Sequence, residues 1–155
     1  MTWARHRGRA ALILVGGLLM GAQLIRSARI NPPVESDLVA PVEIKRILRD
    51  ACYDCHSNET EWPWYSRIAP ASWWAHSEVL EGRRRLNFSQ WDAYASDPDT
   101  IAHKLQQVAA LVRTAAMAPW PYRLLHARAR LTSAQRESLI RWATQEIPPR
   151  APHPD

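Results

Sequence analysis

The stretch Ala51–His56 (ACYDCH) contains both cysteines of the chain, Cys52 and Cys55, and a histidine directly after the second. Residues i and i+3 lie on the same side of a helical turn, so both thiols can face one edge of a flat ligand. This Cys-x-x-Cys-His spacing is typical of c-type haem attachment, in which each thiol adds across one vinyl group. His56 then supplies the proximal iron ligand. The stretch therefore predicts one covalently bound haem c, with its iron held by His56.

Three other uses of a Cys-x-x-Cys pair fit the sequence less well. Structural zinc needs four protein ligands, but the chain has no second cysteine pair and the other histidines are scattered. A thioredoxin-like dithiol belongs beside a βαβ pattern, which we do not find. A disulfide across two residues would close a small and strained loop. Haem attachment is the preferred interpretation, with metal and redox uses as alternatives.

The charge of the chain argues against a nucleic-acid partner. The 155 residues carry a formal net charge of +5, and the excess lies in the first thirty residues. From Asn31 onward, Lys plus Arg and Asp plus Glu number 15 each, so this part is neutral. Nucleic-acid binding needs a clustered basic face. Only Arg83–Arg85 comes close, and it is better explained as a solvated helix end. The length fits one domain with a short additional element.

An apolar segment precedes the domain. Residues 10–25 are interrupted by only one strongly polar side chain, Gln23, and arginines lie on both sides. The segment is longer than a signal-peptide core and shorter than a typical membrane span, and no good small-residue cleavage site follows it. We expect a cytoplasmic n-region over residues 1–9 and an uncleaved signal anchor, forming one transmembrane helix, over 10–25, with a removed signal peptide as the alternative.

The flanking charges and the haem motif predict a location. Three arginines before the apolar segment and two after it weakly favour a cytoplasmic amino terminus. Covalent haem attachment in bacteria takes place outside the cytoplasmic membrane, which gives the same orientation. We therefore expect a single-pass protein of the bacterial inner membrane, with the haem domain in the periplasm.

The remaining chain is predicted to be all-α, a small cytochrome c-like helical domain. Residues 26–40 lack periodicity and predict a linker, residues 41–147 form the haem-binding domain, and residues 148–155 form a C-terminal tail. Apolar residues recur at helical spacing in the domain, and no stretch alternates with a period of two. Helices are predicted to start near the following residues: Pro41, Ala71, Ser89, Pro98 and Thr132.

Local signals predict where some of these helices begin and end. Gly82 is expected to stop the second helix, and Ser89 is expected to cap the short third one. Asp97 is a predicted N-cap followed by proline at the first helical position. Thr132 and Gln135 form a capping box for the last helix.

A loop after the motif carries Trp62, Trp64 and Tyr65 close together. These aromatic side chains could cover the small core. Alternatively, they could form a wall of the haem site, with an indole N–H bonded to a propionate. Spacing alone does not distinguish these two functions.

The ligand at the sixth position of the iron distinguishes an electron-transfer protein from a haem enzyme or sensor. Met117 is the only methionine after the apolar segment, and it lies in a proline-containing loop before the last helix. This is where small cytochromes place a thioether ligand, although a methionine can also fill a gap in a core. We expect Met117 to be the sixth ligand, with His76, His103 and His126 as rivals.

Several segments carry a resemblance that covers about Pro41 to Trp142. They are CYDCHSNET (52–60), WPWYSRIAP (62–70), SWW (72–74), EGRRRLNFSQW (81–91), and LLHARARLT (124–132) after the methionine loop. In these segments the chain resembles the bacterial haem-binding domain family of short, membrane-anchored c-type cytochromes. The resemblance implies one covalent haem per chain, with Cys52, Cys55 and His56 as the attachment motif and Met117 as the methionine of the family's Met-Pro loop. One difference is Ala118, which separates this methionine from the proline.

The function expected is one-electron transfer between redox partner proteins by a mono-haem cytochrome. A His/Met ligand pair raises the reduction potential of haem, and no catalytic triad or acid/base pair argues for an enzyme. The alternative is a haem peroxidase or ligand sensor with an open or exchangeable sixth iron position. A peroxidase could recruit His76, His103 or Glu78 as its distal group. The neutral domain leaves the charge of the partner undecided.

Overall fold

The computed structural model describes residues 2–145, with side chains from His6 onward. Met1, Ile147 and the predicted tail 148–155 lie outside the described residues. The described part contains helices and no strand, which confirms the all-α class. The helices are α1 (Thr2–Ala22), α2 (Val42–Ala51), α3 (Tyr53–His56), α4 (Ala71–Arg85), α5 (Asp92–Ala95), α6 (Pro98–Arg113), α7 (Trp120–Leu125) and α8 (Ser133–Gln145), with 3₁₀ turns at Trp64–Arg67 and Ala127–Ala129.

Helix α1 differs from the transmembrane helix predicted over residues 10–25. Among the described residues, no helix combines the length and the apolar character needed to cross a membrane. α1 includes the arginine-rich start of the chain and ends at Ala22. Its apolar part is therefore about 20 Å long at 1.5 Å per residue, against a hydrocarbon core of about 30 Å. The predicted transmembrane helix is therefore wrong. The predicted single-pass location in the inner membrane, with a periplasmic haem domain, is wrong as well, because it required that helix.

The chain after α1 is bound to the domain. Gln23 bonds both backbone groups of Ala69, donating to the carbonyl at 3.1 Å and accepting from the N–H at 3.0 Å. The segment predicted as a linker, 26–40, then packs along the domain. Leu38 is buried, and its N–H donates to the Phe88 carbonyl at 2.9 Å. Gln23, the one strongly polar residue of the predicted anchor, thus forms a specific contact with the domain.

Helices α2, α6 and α8 enclose the main core. Each presents the apolar face that helical spacing predicts, and burial of these faces stabilises the packing of the three helices. The buried side chains are Ile44, Ile47 and Leu48 from α2, Leu105, Ala109 and Val112 from α6, and Leu139, Trp142 and Ala143 from α8. Tyr53 and Phe88 join this core, with ring centroids 5.3 Å apart. The core therefore extends up to the haem motif.

Two of the predicted caps are confirmed. The Asp97 carboxylate accepts the N–H of Asp99 at 3.1 Å at the start of α6. Thr132 and Gln135 bond each other reciprocally, side chain to backbone, at 2.9 and 3.2 Å. Both satisfy backbone N–H groups that the first turn of a helix leaves without an intrahelical partner.

The other two local predictions are wrong. α4 continues through Gly82 to Arg85, because this glycine allows a close helix crossing and does not end the helix. α5 begins at Asp92, and the Ser89 hydroxyl accepts the N–H of Asn58 at 3.0 Å. Ser89 is fully buried, so its hydroxyl satisfies a buried backbone group.

Candidate functional site

The haem motif lies on a kinked helix formed by α2 and α3. The backbone of Cys52 has φ −126° and ψ −35°, which interrupts the regular geometry between the two segments. Helical hydrogen bonds nevertheless continue on both sides, from the Cys52 N–H to the Leu48 carbonyl at 2.8 Å and from the His56 N–H to the Cys52 carbonyl at 2.9 Å. Cys52 and Cys55 are partly exposed and have free thiols. The i, i+3 arrangement expected for the two cysteines is therefore preserved.

The His56 ring is oriented by two backbone carbonyls. Its Nδ1 lies 3.0 Å from the Gly82 carbonyl oxygen and 3.1 Å from that of Leu86, at the end of α4. Carbonyl oxygens only accept, so Nδ1 carries the proton and Nε2 keeps its lone pair. Burial lowers the pKa of His56, and the two carbonyl contacts oppose that effect more weakly. A neutral imidazole with its Nδ1–H bonded to a carbonyl is the usual state of a histidine that ligates a metal through Nε2.

One cavity of about 300 Å³ brings all four predicted site residues together. Cys52, Cys55 and His56 form one side of it, and Met117 lies on its lining with Ala118 and Pro119. Charged side chains at the rim are Asp54, Glu78, Glu81 and Arg85. None of the three rival histidines lines this cavity. The sequence-predicted residues therefore share one site, although they lie some sixty positions apart in the chain.

The rival histidines have other surroundings. His103 is exposed near Gln107. His126 stacks on Tyr122, and its Nε2 lies 3.0 Å from the Tyr65 hydroxyl. The His76 ring stacks on Trp62, and its buried Nδ1 has no hydrogen-bond partner. Of the four candidates, Met117 is thus the one that lines the cavity of Cys52, Cys55 and His56, whereas His126 lines another cavity with Tyr53 and Asp54.

A tight helix end places Met117 there. α6 ends at Arg113, and Ala115 adopts a left-handed conformation with φ 54°. The N–H of Ala115 bonds to the Val112 carbonyl at 3.2 Å, and that of Ala116 bonds to the Leu111 carbonyl at 3.0 Å. These two bonds form a Schellman motif. It turns the chain sharply, so Met117 follows the helix directly into the cavity wall.

Burial sets the protonation state of the thiols. It raises the pKa of Cys52 to about 12, and it raises the pKa of Cys55 to about 12 with a smaller contribution from Asp54. Both are neutral thiols at pH 7, unlike the low-pKa cysteine of a redox dithiol. No cluster of three or more His, Cys, Asp or Glu side chains within residues 2–145 is arranged to hold a metal ion. These features favour neither the redox nor the zinc interpretation.

The aromatic loop after the motif borders a second, smaller cavity next to Cys55. It is lined by Trp62, Tyr65 and Tyr122. Tyr122 also lines the cavity of His56 and Met117. The Trp62 indole N–H donates to the Asn31 side chain at 3.3 Å, and Trp64 is 70% exposed. Trp62 and Tyr65 therefore border the cavity next to Cys55 and not the cavity of His56 and Met117, whereas Trp64 borders neither.

Sequence reasoning missed Arg83, which holds the chain after His56. Its guanidinium donates to the Ser57 carbonyl at 2.7 Å, the Ile30 carbonyl at 2.8 Å, the Asn31 side chain at 2.8 Å and the Thr60 hydroxyl at 2.9 Å. The basic run Arg83–Arg85 predicted only a solvated helix end. Arg84 and Arg85 do pair with Glu81 on the surface, but nothing in the pattern separates Arg83 from them.

Tyr122 and Asp54 form a second contact that the sequence did not indicate. The tyrosine hydroxyl donates to the Asp54 carboxylate at 2.5 Å, and burial together with this carboxylate raises the pKa of Tyr122. The bond connects α7, which follows the Met117 loop, to α3 inside the motif. It therefore links the two sides of the cavity.

Comparison with known protein families identifies the kind of domain. The family model described as "Haem-binding domain" matches residues 17–145. No curated protein and no solved structure matches the chain significantly. The matched range includes the end of α1, the motif, the Met117 loop and α8.

Proposed function

Because the chain belongs to the haem-binding domain family, we propose that it is a mono-haem c-type cytochrome that transfers single electrons. Cys52 and Cys55 would hold the haem through thioether bonds, His56 would ligate the iron through Nε2, and Met117 would take the sixth position. The observation that carries this proposal is the His56 ring. Its Nδ1 is bonded to backbone carbonyls in the wall of a cavity that Cys52, Cys55 and Met117 share.

The residues of the cavity suit this group. A thioether-bound haem would use two cysteines, a neutral imidazole and a soft second ligand, and Cys52, Cys55, His56 and Met117 offer these groups in one cavity. A haem held there would supply an iron that changes between the ferric and ferrous states. The surrounding residues position the ligand. Gly82 and Leu86 orient the His56 imidazole through their carbonyls, and Arg83 fixes the segment that follows His56.

A haem-binding domain is also compatible with a peroxidase or a ligand sensor. Glu78 lines the cavity and could act as a distal group, but none of the described residues forms a hydrogen bond or salt bridge that would position it for acid/base chemistry. Met117 on the same cavity lining favours a six-coordinate iron and hence electron transfer.

The covalent attachment is tested with cysteine variants. The full-length protein, produced together with a cytochrome c maturation system, is separated by denaturing electrophoresis and stained for haem. We expect wild type to stain, Cys52→Ala and Cys55→Ala to stain weakly, and the double variant not to stain. Staining of the double variant at the wild-type level would refute thioether attachment.

A further inference from the structure

The neutral domain is strongly polarised along its sequence. Residues 100–136 contain no Asp or Glu. The same segment contains six basic residues: Lys104, Arg113, Arg123, Arg128, Arg130 and Arg136. Because the chain from Asn31 onward is neutral, the remaining part of it carries an equal excess of acidic residues. A formal charge of zero therefore conceals a basic segment, which includes the Met117 loop.

The structure gathers three of these arginines around one open cavity of about 310 Å³. Arg123, Arg130 and Arg136 line it together with Met117 and Trp120, and no carboxylate is among the lining residues. Met117 also lines the cavity that holds the haem motif. The basic cavity and the cavity of the proposed iron site thus share the Met117 side chain.

The charges of these arginines are not compensated by carboxylates. Arg130 donates to the Arg123 carbonyl at 2.7 Å, and Arg136 donates to the Val112 carbonyl at 3.0 Å. Within the described part of the chain, no salt bridge involves Arg123, Arg130 or Arg136. Other arginines do form ion pairs, as Arg46 does with Glu43 at 2.8 Å. A cluster of unpaired guanidinium groups produces a local positive potential that attracts anionic partners.

Exposed apolar side chains lie at the same place. Trp120 is 67% exposed and Leu124 is 63% exposed, and both line the basic cavity. An exposed tryptophan with a leucine, surrounded by arginines, matches the composition of protein interfaces, in which Trp and Arg often contribute most of the binding energy. A small anion would not bury this apolar surface, whereas a protein partner would.

We propose that Met117, Trp120, Arg123, Leu124, Arg130 and Arg136 form a docking surface, the Arg123 face, for an acidic redox partner protein. The inference rests on the proposed function, and it adds the place and the charge of the partner. The partner would bury Trp120 and Leu124 while its carboxylates meet the arginines. One electron would then pass between the partner and the haem across the Met117 side, with no bond made and no proton transferred.

Two blue-copper proteins, one acidic and one basic, serve as probes. The haem-loaded, full-length protein is reduced and mixed with the Cu(II) form of each, and haem oxidation is followed by stopped-flow absorption. Each ferrous haem gives one electron to one Cu(II), leaving ferric haem and Cu(I). We expect faster oxidation by the acidic probe and a rate that falls as ionic strength rises.

Charge reversal locates the surface. Arg123→Glu should slow the reaction with the acidic probe about tenfold, since steering by local charge changes association rates by 10 to 10³. Arg46→Glu changes the net charge equally, at an exposed position outside both cavities, and should have less than a third of that effect. Arg123→Gln provides a milder variant if the glutamate disturbs folding.

Three results would overturn the inference. Equal rates with the two probes, or equal effects of Arg123→Glu and Arg46→Glu, would show that no docking surface lies here. Slowing by phosphate relative to chloride at constant ionic strength would indicate a small-anion pocket. In each of these cases a haem spectrum recorded before mixing shows that haem is bound as the proposed function requires, whereas its absence would refute both proposals.

Discussion

Gly82 packs against Cys55 so closely that no side chain fits between the two helices. A Cβ added to Gly82 would lie 2.9 Å from the Cys55 carbonyl carbon and closer still to the oxygen. The carbonyl of the same glycine accepts the Nδ1–H of His56 at 3.0 Å. One residue of α4 therefore sets both the approach of α3 and the orientation of the proposed iron ligand.

Gly82→Ala should destabilise the protein by about 2–3 kcal/mol, because the backbone of Cys55 would have to move. The haem content of the purified protein should fall as well, since the His56 ring loses its position. Denaturant unfolding and the absorption spectrum measure the two effects. The matched control is Gly17→Ala, whose added Cβ meets nothing within 4 Å in α1. It should be neutral or slightly stabilising. Equal stability of the two variants would contradict the role assigned to Gly82.

Arg83→Lys should destabilise the protein by about 2–3 kcal/mol, although it keeps the charge. A lysine cannot reproduce the planar set of donors that joins Ser57, Thr60 and the segment at Ile30 and Asn31. Chemical unfolding again measures the change. Arg84→Lys is the control, because Arg84 is exposed and its partner among the described residues is Glu81, and we expect no measurable change. A stable Arg83→Lys variant would mean that the four hydrogen bonds are dispensable.

The sequence was sufficient for the helical class and for the helix starts capped by Asp97 and Thr132, and it proposed four site residues that the structure brings to one cavity. Each of these depends on local chemistry: apolar spacing in α2 and α6, the Asp97 and Thr132 caps, and the five-residue motif itself. The structure differs from the sequence-based predictions where a contact with a residue distant in the chain determines the local geometry. Gly82 was expected to end a helix, but Cys55 on another helix requires the glycine. Gln23 was expected to be a polar interruption of an apolar segment, but its side chain binds the backbone of Ala69. Neither partner is visible in the local pattern.

Ala115→Gly should stabilise the protein by about 0.5–1 kcal/mol. Ala115 has φ 54°, where a Cβ is unfavourable and glycine is not. The measurement is the free energy of unfolding in denaturant. Ala110→Gly, in the regular part of α6, is the control and should instead destabilise by about 1 kcal/mol. Destabilisation by both glycines would show that the left-handed turn before Met117 is not formed in solution.

Met117→Ala should leave the haem attached and remove its sixth ligand. The ferric spectrum should lose the thioether-to-iron charge-transfer band, and the reduction potential should fall, because methionine ligation raises it. His76→Gln, His103→Gln and His126→Gln should keep the band. If the band is absent from wild type and the ferric iron is high-spin, Met117 is not a ligand. A peroxidase or sensor would then be the better proposal.

The central claim is that both sulfurs of the motif carry one haem, and the intact mass of the full-length protein tests it most directly. The protein is matured with a cytochrome c attachment system, denatured, and measured by mass spectrometry beside the Cys52→Ala/Cys55→Ala double variant. We predict the mass of the polypeptide plus one haem for wild type and the polypeptide alone for the double variant. A wild-type mass equal to the bare polypeptide would contradict the account.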